Sequence, residues 1–293
     1  MESIIQVLLN TLFLIGVLSL STLGITLTYK AANVANFAQS IVATVGAFTG
    51  AWLFMRAGIN PWLAALGGIG VCFVMGWVID ALIVSNMSTG AVGRVMITLG
   101  LILIFTAFLP LVFGMIPYEY PRFFTGNFNF SLGSMSFTVT RNGIFIFVVA
   151  AVVVGITFAA LNLTKWGLSV RATASNTTVA SMMGINTRRI TAMSWAISSA
   201  AAALGAILLG SQTTNINALM LTSVQTLTLL AFVMGGYTSF YGPVIGAVII
   251  PIAMSLLAMI SGLWANVFLY TLVLLVILIK PVGLFGKKTI EKV

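Results

Sequence analysis

Of the 293 residues, 60% are hydrophobic and only 6% are charged, whereas an ordinary soluble domain carries about 25% charged residues. So little charge cannot dress a water-facing surface, which excludes a soluble globular domain as the whole of the chain. Thirteen Lys and Arg against four Asp and Glu give a net charge of +9; the basic residues sit in short breaks between apolar runs, a pattern of membrane topology rather than nucleic-acid binding.

Taken in chain order, apolar runs cover 4–28, 37–56, 61–83, 95–117, 142–164, 190–212, 222–238, 242–262 and 264–280. Most are long enough for an α-helix to cross roughly 30 Å of hydrocarbon. They predict one all-α, polytopic membrane domain over 1–293, with eight or nine spans. The first run follows Glu2 directly, with no basic leader or small-residue cleavage site, so no removable signal peptide is expected. The single cysteine, Cys72, lies within the third run and reads as a packing residue, since one thiol makes neither an intrachain disulfide nor a thiolate metal cluster. The run 222–238 is diluted by Gln225, Thr226 and Thr228 and stopped by Gly235-Gly236. It is expected to be a short or broken helix, which protein or a cavity must cover.

Orientation follows from the loops. Lys30, Arg94, the connection 165–189 and the tail 280–292 hold ten of the thirteen basic residues on one side, with Arg56, Arg122 and Arg141 opposite. The positive-inside rule places the C-terminus in the cytoplasm and, with nine spans, the N-terminus outside. Tyr118, Tyr120 and Trp264 are then expected near the outer interface, where amphipathic rings are favoured.

Two connections are long. The outer one, 118–141, has turn residues (Pro121, Gly126, Gly133) and alternating Phe128, Phe130 and Phe137; it suits a hairpin, an interfacial helix or a plain loop, with docking of an external partner as a candidate use. The inner one, 165–189, contains a small amphipathic helix. Asn176 is its N-cap, Val179, Met182 and Met183 fall on one face, and Gly184 stops it. That face suits either lipid headgroups or a protein surface.

Chemistry is sparse. Glu2, Glu119 and Glu291 lie outside the runs, there is no histidine, and Asp80 sits near the inner end of the third run, where pairing with Arg94 or access to water is expected. No paired acids, metal cluster or activated nucleophile can be assembled, so the chain is not expected to be an enzyme or to hold a cofactor. Gly283-Leu-Phe-Gly286-Lys287-Lys288-Thr289 is not a phosphate loop, because two residues rather than four separate its glycines. Gly46 to Gly50 and Gly242 to Gly246 have the spacing of close helix packing, within a subunit or at a dimer seam.

Four strings carry a resemblance along nearly the whole chain. They are Asn36-Phe37-Ala38-Gln39; Arg171-Ala-Thr-Ala-Ser-Asn176 followed by Ala180-Ser-Met-Met-Gly184-Ile-Asn-Thr-Arg188-Arg189; Gly235-Gly236-Tyr-Thr-Ser-Phe-Tyr-Gly242-Pro-Val-Ile-Gly246; and Pro281-Val-Gly283-Leu-Phe-Gly286. Together they resemble the permease subunits of branched-chain amino acid ABC importers. Departures from the family pattern are Ser175-Asn176 where an acid is common, Ser40 where glycine is usual, and a less basic connection after Asp80.

The resemblance implies a prokaryotic cytoplasmic (inner) membrane permease working by alternating access, with two ATPase subunits, a second permease subunit, identical or homologous, and an extracytoplasmic solute-binding protein. It implies that Asn176 to Gly184 is the coupling helix seated in the ATPase. Val179, Met182 and Met183 are its greasy anchors, and Arg171, Arg188 and Arg189 contact the ATPase or the headgroups. Asn33, Asn36, Gln39 and Gln225 are candidates for polar groups along the pathway, or for helix glue. Relatives in the wider family carry urea, short amides or sugars. A self-contained ion-coupled transporter or channel, and a membrane scaffold without transport, are the readings of other classes.

Overall fold

The computed structural model describes residues 2–86, 90–132 and 135–286. Its elements are α1 (Glu2–Ala32), α2 (Gln39–Met55), α3 (Pro61–Val78) continued by a π-helical segment (Ile79–Val84), α4 (Ala91–Phe113), strands β1 (Asn127–Leu132) and β2 (Met135–Thr140), α5 (Arg141–Leu163), α6 (Lys165–Ser175), α7 (Thr177–Met182), α8 (Thr187–Thr213), α9 (Thr222–Gly235), α10 (Gly242–Ile260) and α11 (Ala265–Ile279). Among the described residues, six helical stretches are long and apolar enough to cross a membrane, and α2, α9 and α11 are shorter apolar helices.

These helices alternate in direction. At one end lie Lys30, which donates to the Thr238 carbonyl, and Arg94, which donates to the Ala32 carbonyl; α6, α7 and the segment 280–286 share this basic end. At the other end β1 and β2 form an antiparallel hairpin in which Phe130 faces Phe137. Gln6 at the start of α1 pins the hairpin edge, donating to the Thr138 carbonyl at 2.6 Å and accepting from the Thr138 amide at 3.0 Å. Of the expectations for 118–141, the hairpin is the one formed; Gly133 lies outside the described residues.

α8 is the most deeply buried of the long spans. Its buried face is built from Ser194, Ser198, Ala202, Ala203, Ala206 and Gly210, small residues that let neighbouring backbones come close. α1, α2 and α3 pack around it, and α5, α10 and α9 pack on α1. Intrahelical hydroxyls bond carbonyls one turn back, as Thr26 does to Thr22 and Thr228 to Val224, so these polar groups sit in the bundle at little cost.

The glycine pairs pack within the subunit. A Cβ on Gly46 would overlap Cys72 Sγ and press on Ala203, and one on Gly246 would overlap the Ala231 carbonyl. The end of α9 is sealed by the C-terminal string: Leu284 N–H donates to the Met234 carbonyl at 2.8 Å and Phe285 N–H to the Gly235 carbonyl at 3.1 Å. Gly283, at φ +83°, packs onto Gly236, at φ +103°. Gly283 and Gly286 therefore cap a helix; Lys287 to Thr289 lie outside the described residues.

Tyr120 lies at the hairpin end of the bundle but is buried against protein, packing on Phe54 and Phe123, with its hydroxyl donating to the Pro61 carbonyl at 2.6 Å. Burial pushes that hydroxyl above its ordinary pKa, which keeps it a neutral donor. Tyr120→Phe is expected to lower stability by about 1 kcal/mol, read as a lower midpoint of thermal unfolding in detergent.

Candidate functional site

The basic end carries a knob whose local sequence dictates its shape. Thr164 caps α6, its hydroxyl accepting from Gly167 N–H at 3.1 Å, and Val170 and Thr173 on the buried face hold α6 against α1, α5 and α8. Asn176 ends α6 and begins α7, its side chain accepting from Val179 N–H at 3.0 Å. Gly184, at φ +83°, takes the left-handed turn that closes α7, and Ile185 N–H bonds back to the Ala180 carbonyl in the manner of a glycine C-cap. Asn186 then caps α8 by accepting from Arg189 N–H at 3.1 Å.

Ala180 faces inward while Val179, Met182 and Met183 face out, 53%, 79% and 78% exposed. Three neighbouring apolar side chains on a firmly capped turn form a surface suited to burial against a partner. Arg171 and Arg189 flank it in exposed positions. Arg188, also exposed, reaches Asn86 Oδ1 beside the π-helical end of α3.

The sequence missed α6, a helix of 11 residues. Its signal was Trp166, Val170 and Thr173 at helical spacing, hidden among Lys165, Ser169 and Arg171. It also missed the burial of the chain between α1 and α2. Asn33 ends α1 at φ +52°, and Val34, Asn36 and Ala38 are then buried without helical structure.

This irregular stretch climbs into the bundle. Asn36 Oδ1 accepts from Ala38 N–H at 3.1 Å, and Gln39 Nε2 donates to the Ser21 carbonyl at 2.7 Å, about three turns from the end of α1. Ser198 of α8 donates to Gln39 Oε1 at 3.2 Å. Both ends of the Gln39 amide are thereby used to tie α1, α2 and α8. Gln225, half-buried on α9, leaves its Nε2 without a hydrogen-bond partner.

Below this seam, at the basic end, lies a cavity of about 510 Å³ bordered by Tyr29, Lys30, Asn33, Asn176, Tyr237 and Thr238 among others. Of the four amides named from the sequence, Asn33 borders it; Asn36, Gln39 and Gln225 do not. The knob's cap, Asn176, thus borders this cavity. Asp80 is sealed from water, which corrects one expectation for it; its Oδ2 accepts from Ser85 at 2.9 Å and it lies within electrostatic reach of Arg94 and Arg188.

Long apolar helices, a small-residue centre and irregular backbone kept inside the bundle define a multi-pass helical membrane protein. The chain belongs to the family described as branched-chain amino acid transport system / permease component, which it matches over residues 7–278. It is 28% identical, over 99% of its length and 97% of the relative's, to the high-affinity branched-chain amino acid transport system permease protein LivH of Escherichia coli K12. The LivH protein of Salmonella typhimurium is 26% identical over the same shares. A probable branched-chain amino acid transport permease protein LivH of Methanocaldococcus jannaschii is 29% identical, over 92% of this chain and 89% of that one.

Proposed function

We propose that this chain is the permease subunit of an ATP-driven importer of branched-chain amino acids in a prokaryotic cytoplasmic membrane. The basic end faces the cytoplasm and the hairpin end faces outward. The observation that carries the reading is the capped apolar knob of Val179, Met182 and Met183 on the basic end of a chain that lacks a phosphate loop.

In this reading two ATPase subunits grip the knobs of two permease subunits, identical or homologous, and a solute-binding protein delivers ligand at the hairpin end. Closure of the ATPases pulls the knobs and changes which end of the pathway is open. Relatives that belong to branched-chain amino acid transport systems support those amino acids as substrate, and an apolar bundle suits aliphatic side chains, with selectivity left to the external receptor. Asn33, Asn36, Gln39 and Gln225 are the polar groups offered along the route. The polar cavity beside Asn176 is its inner mouth.

The test is reconstitution in proteoliposomes with ATPase subunits and a branched-chain amino acid-binding protein from the same organism. Uptake of labelled leucine that needs both partners and ATP is the expected result. Uptake by this chain alone, driven by a proton or sodium gradient, would overturn it in favour of a secondary transporter.

A further inference from the structure

Asp80 is a buried carboxyl group that the pathway does not use, 0% exposed, on the π-helical segment at the basic end of α3. In an α-helix a residue five positions on lies about 140° around the axis. The wider π turn brings Ser85 back onto Asp80, its N–H donating to the Asp80 carbonyl and its hydroxyl to Oδ2, each at 2.9 Å. Such π segments are frequent at functional positions.

Ser85 also faces α8. Its Oγ lies 3.4 Å from Thr191 Oγ1, and one turn earlier on α8 Arg188 donates to Asn86 Oδ1. Arg94 of α4 and Arg188 both act electrostatically on Asp80, and Arg94 donates to the Ala32 carbonyl at the end of α1 at 3.3 Å. The basic end of α3 and the first turns of α8 therefore meet beside one buried carboxyl group. Behind it α3 and α8 touch backbone to backbone, for a Cβ on Gly76 would overlap Ser199 Oγ and crowd the Trp195 carbonyl. α8 begins only three residues after Gly184, at the base of the knob.

We propose that Asp80 is a positioning residue for coupling: with Ser85, Asn86, Arg188 and Thr191 it welds the first turns of α8 to the basic end of α3. A pull on the knob then moves α3 and α8 as one body instead of merely bending the loop 183–187. This rests on the ATP-driven reading above. A buried carboxylate and its guanidinium neighbours are costly to keep, and a hydrophobic contact would hold two helices together as well; what the polar weld adds is a fixed register between them.

The experiment uses the complete reconstituted transporter and counts leucine taken up per ATP hydrolysed. Asp80→Ala is expected to assemble and hydrolyse ATP, with uptake per ATP reduced about tenfold, within the usual range for coupling between sites. Asp80→Asn, which keeps an oxygen for Ser85 and loses the charge, is expected to fall between. If Asp80→Ala does not assemble, the double variant Asn86→Ala, Thr191→Val decides the matter, because it cuts the same link at positions that are not buried. Native stoichiometry in Asp80→Ala, or in the double variant, would overturn the proposal. A native transporter without any ATP-dependent uptake would overturn the ATP-driven reading instead, so the two failures are distinguishable.

Discussion

Met182→Asp is expected to release the ATPase while leaving the permease folded and inserted. Met182 is 79% exposed, so a carboxylate there meets water in the isolated chain and costs little. In the proposed ATP-driven transporter the same carboxylate would be buried against the ATPase. An unpaired charge in such a place costs several kcal/mol, and a single central anchor is commonly worth about 2 kcal/mol or more, roughly thirtyfold in affinity. Leucine uptake should then be lost, and the ATPase should no longer co-purify. Met182→Leu is the companion variant: it keeps the apolar volume and should retain both. If Met182→Asp co-purifies with a normal complement of ATPase, the knob is not the docking surface, and burial in lipid headgroups becomes the better account of its exposed methionines.

That knob was legible because its signals are local. An asparagine cap, three apolar residues on one face and a glycine stop specify a short helix whatever surrounds it, and α7 forms as those residues dictate. The apolar helices were legible for a related reason: lipid permits a crossing chain few options, so length and hydrophobicity nearly decide where they form. The shortness of α9 was readable too, in Gln225, Thr226, Thr228 and the Gly235-Gly236 stop. What stayed hidden depends on distant partners. Val34 to Asn36 fell between the first two apolar runs, and Phe37 and Ala38 inside the second, because nothing local says that the Ser21 carbonyl and Ser198 wait to receive Gln39 inside the bundle. The π turn at Asp80 has no spacing of its own, and its meaning comes from Thr191 and Arg188, more than a hundred residues later. The amides suggested for the pathway could not be sorted into glue and lining from sequence, since both uses need the same group in an apolar run. In the fold Gln39 has engaged both ends of its amide with neighbouring helices, while Gln225 keeps a donor unpaired.

Gly246→Ala is expected to be far more damaging than its size suggests, lowering stability by about 3 kcal/mol, the upper range for overpacking a close contact. The added methyl would overlap the Ala231 carbonyl and crowd Gly235 N, and both are backbone atoms with no rotamer to turn aside. α9 has only 14 residues, and its end is enclosed by Gly242 on one side and the 282–286 turn on the other. It cannot retreat from α10 without stripping the Leu284 and Phe285 amides from the carbonyls of Met234 and Gly235. Thermal unfolding in detergent should show the loss, together with a lower yield of monodisperse protein. Gly155→Ala is the control: on α5 a Cβ meets nothing within 4 Å, and alanine is the better helix former by about 1 kcal/mol, so stability should hold or rise. If both variants unfold alike, α9 and α10 are not locked backbone to backbone at Gly246. If they differ as expected, the damage in Gly246→Ala should extend to uptake, because the helix it dislodges carries Gln225 and leads into Tyr237 and Thr238 at the mouth of the inner cavity.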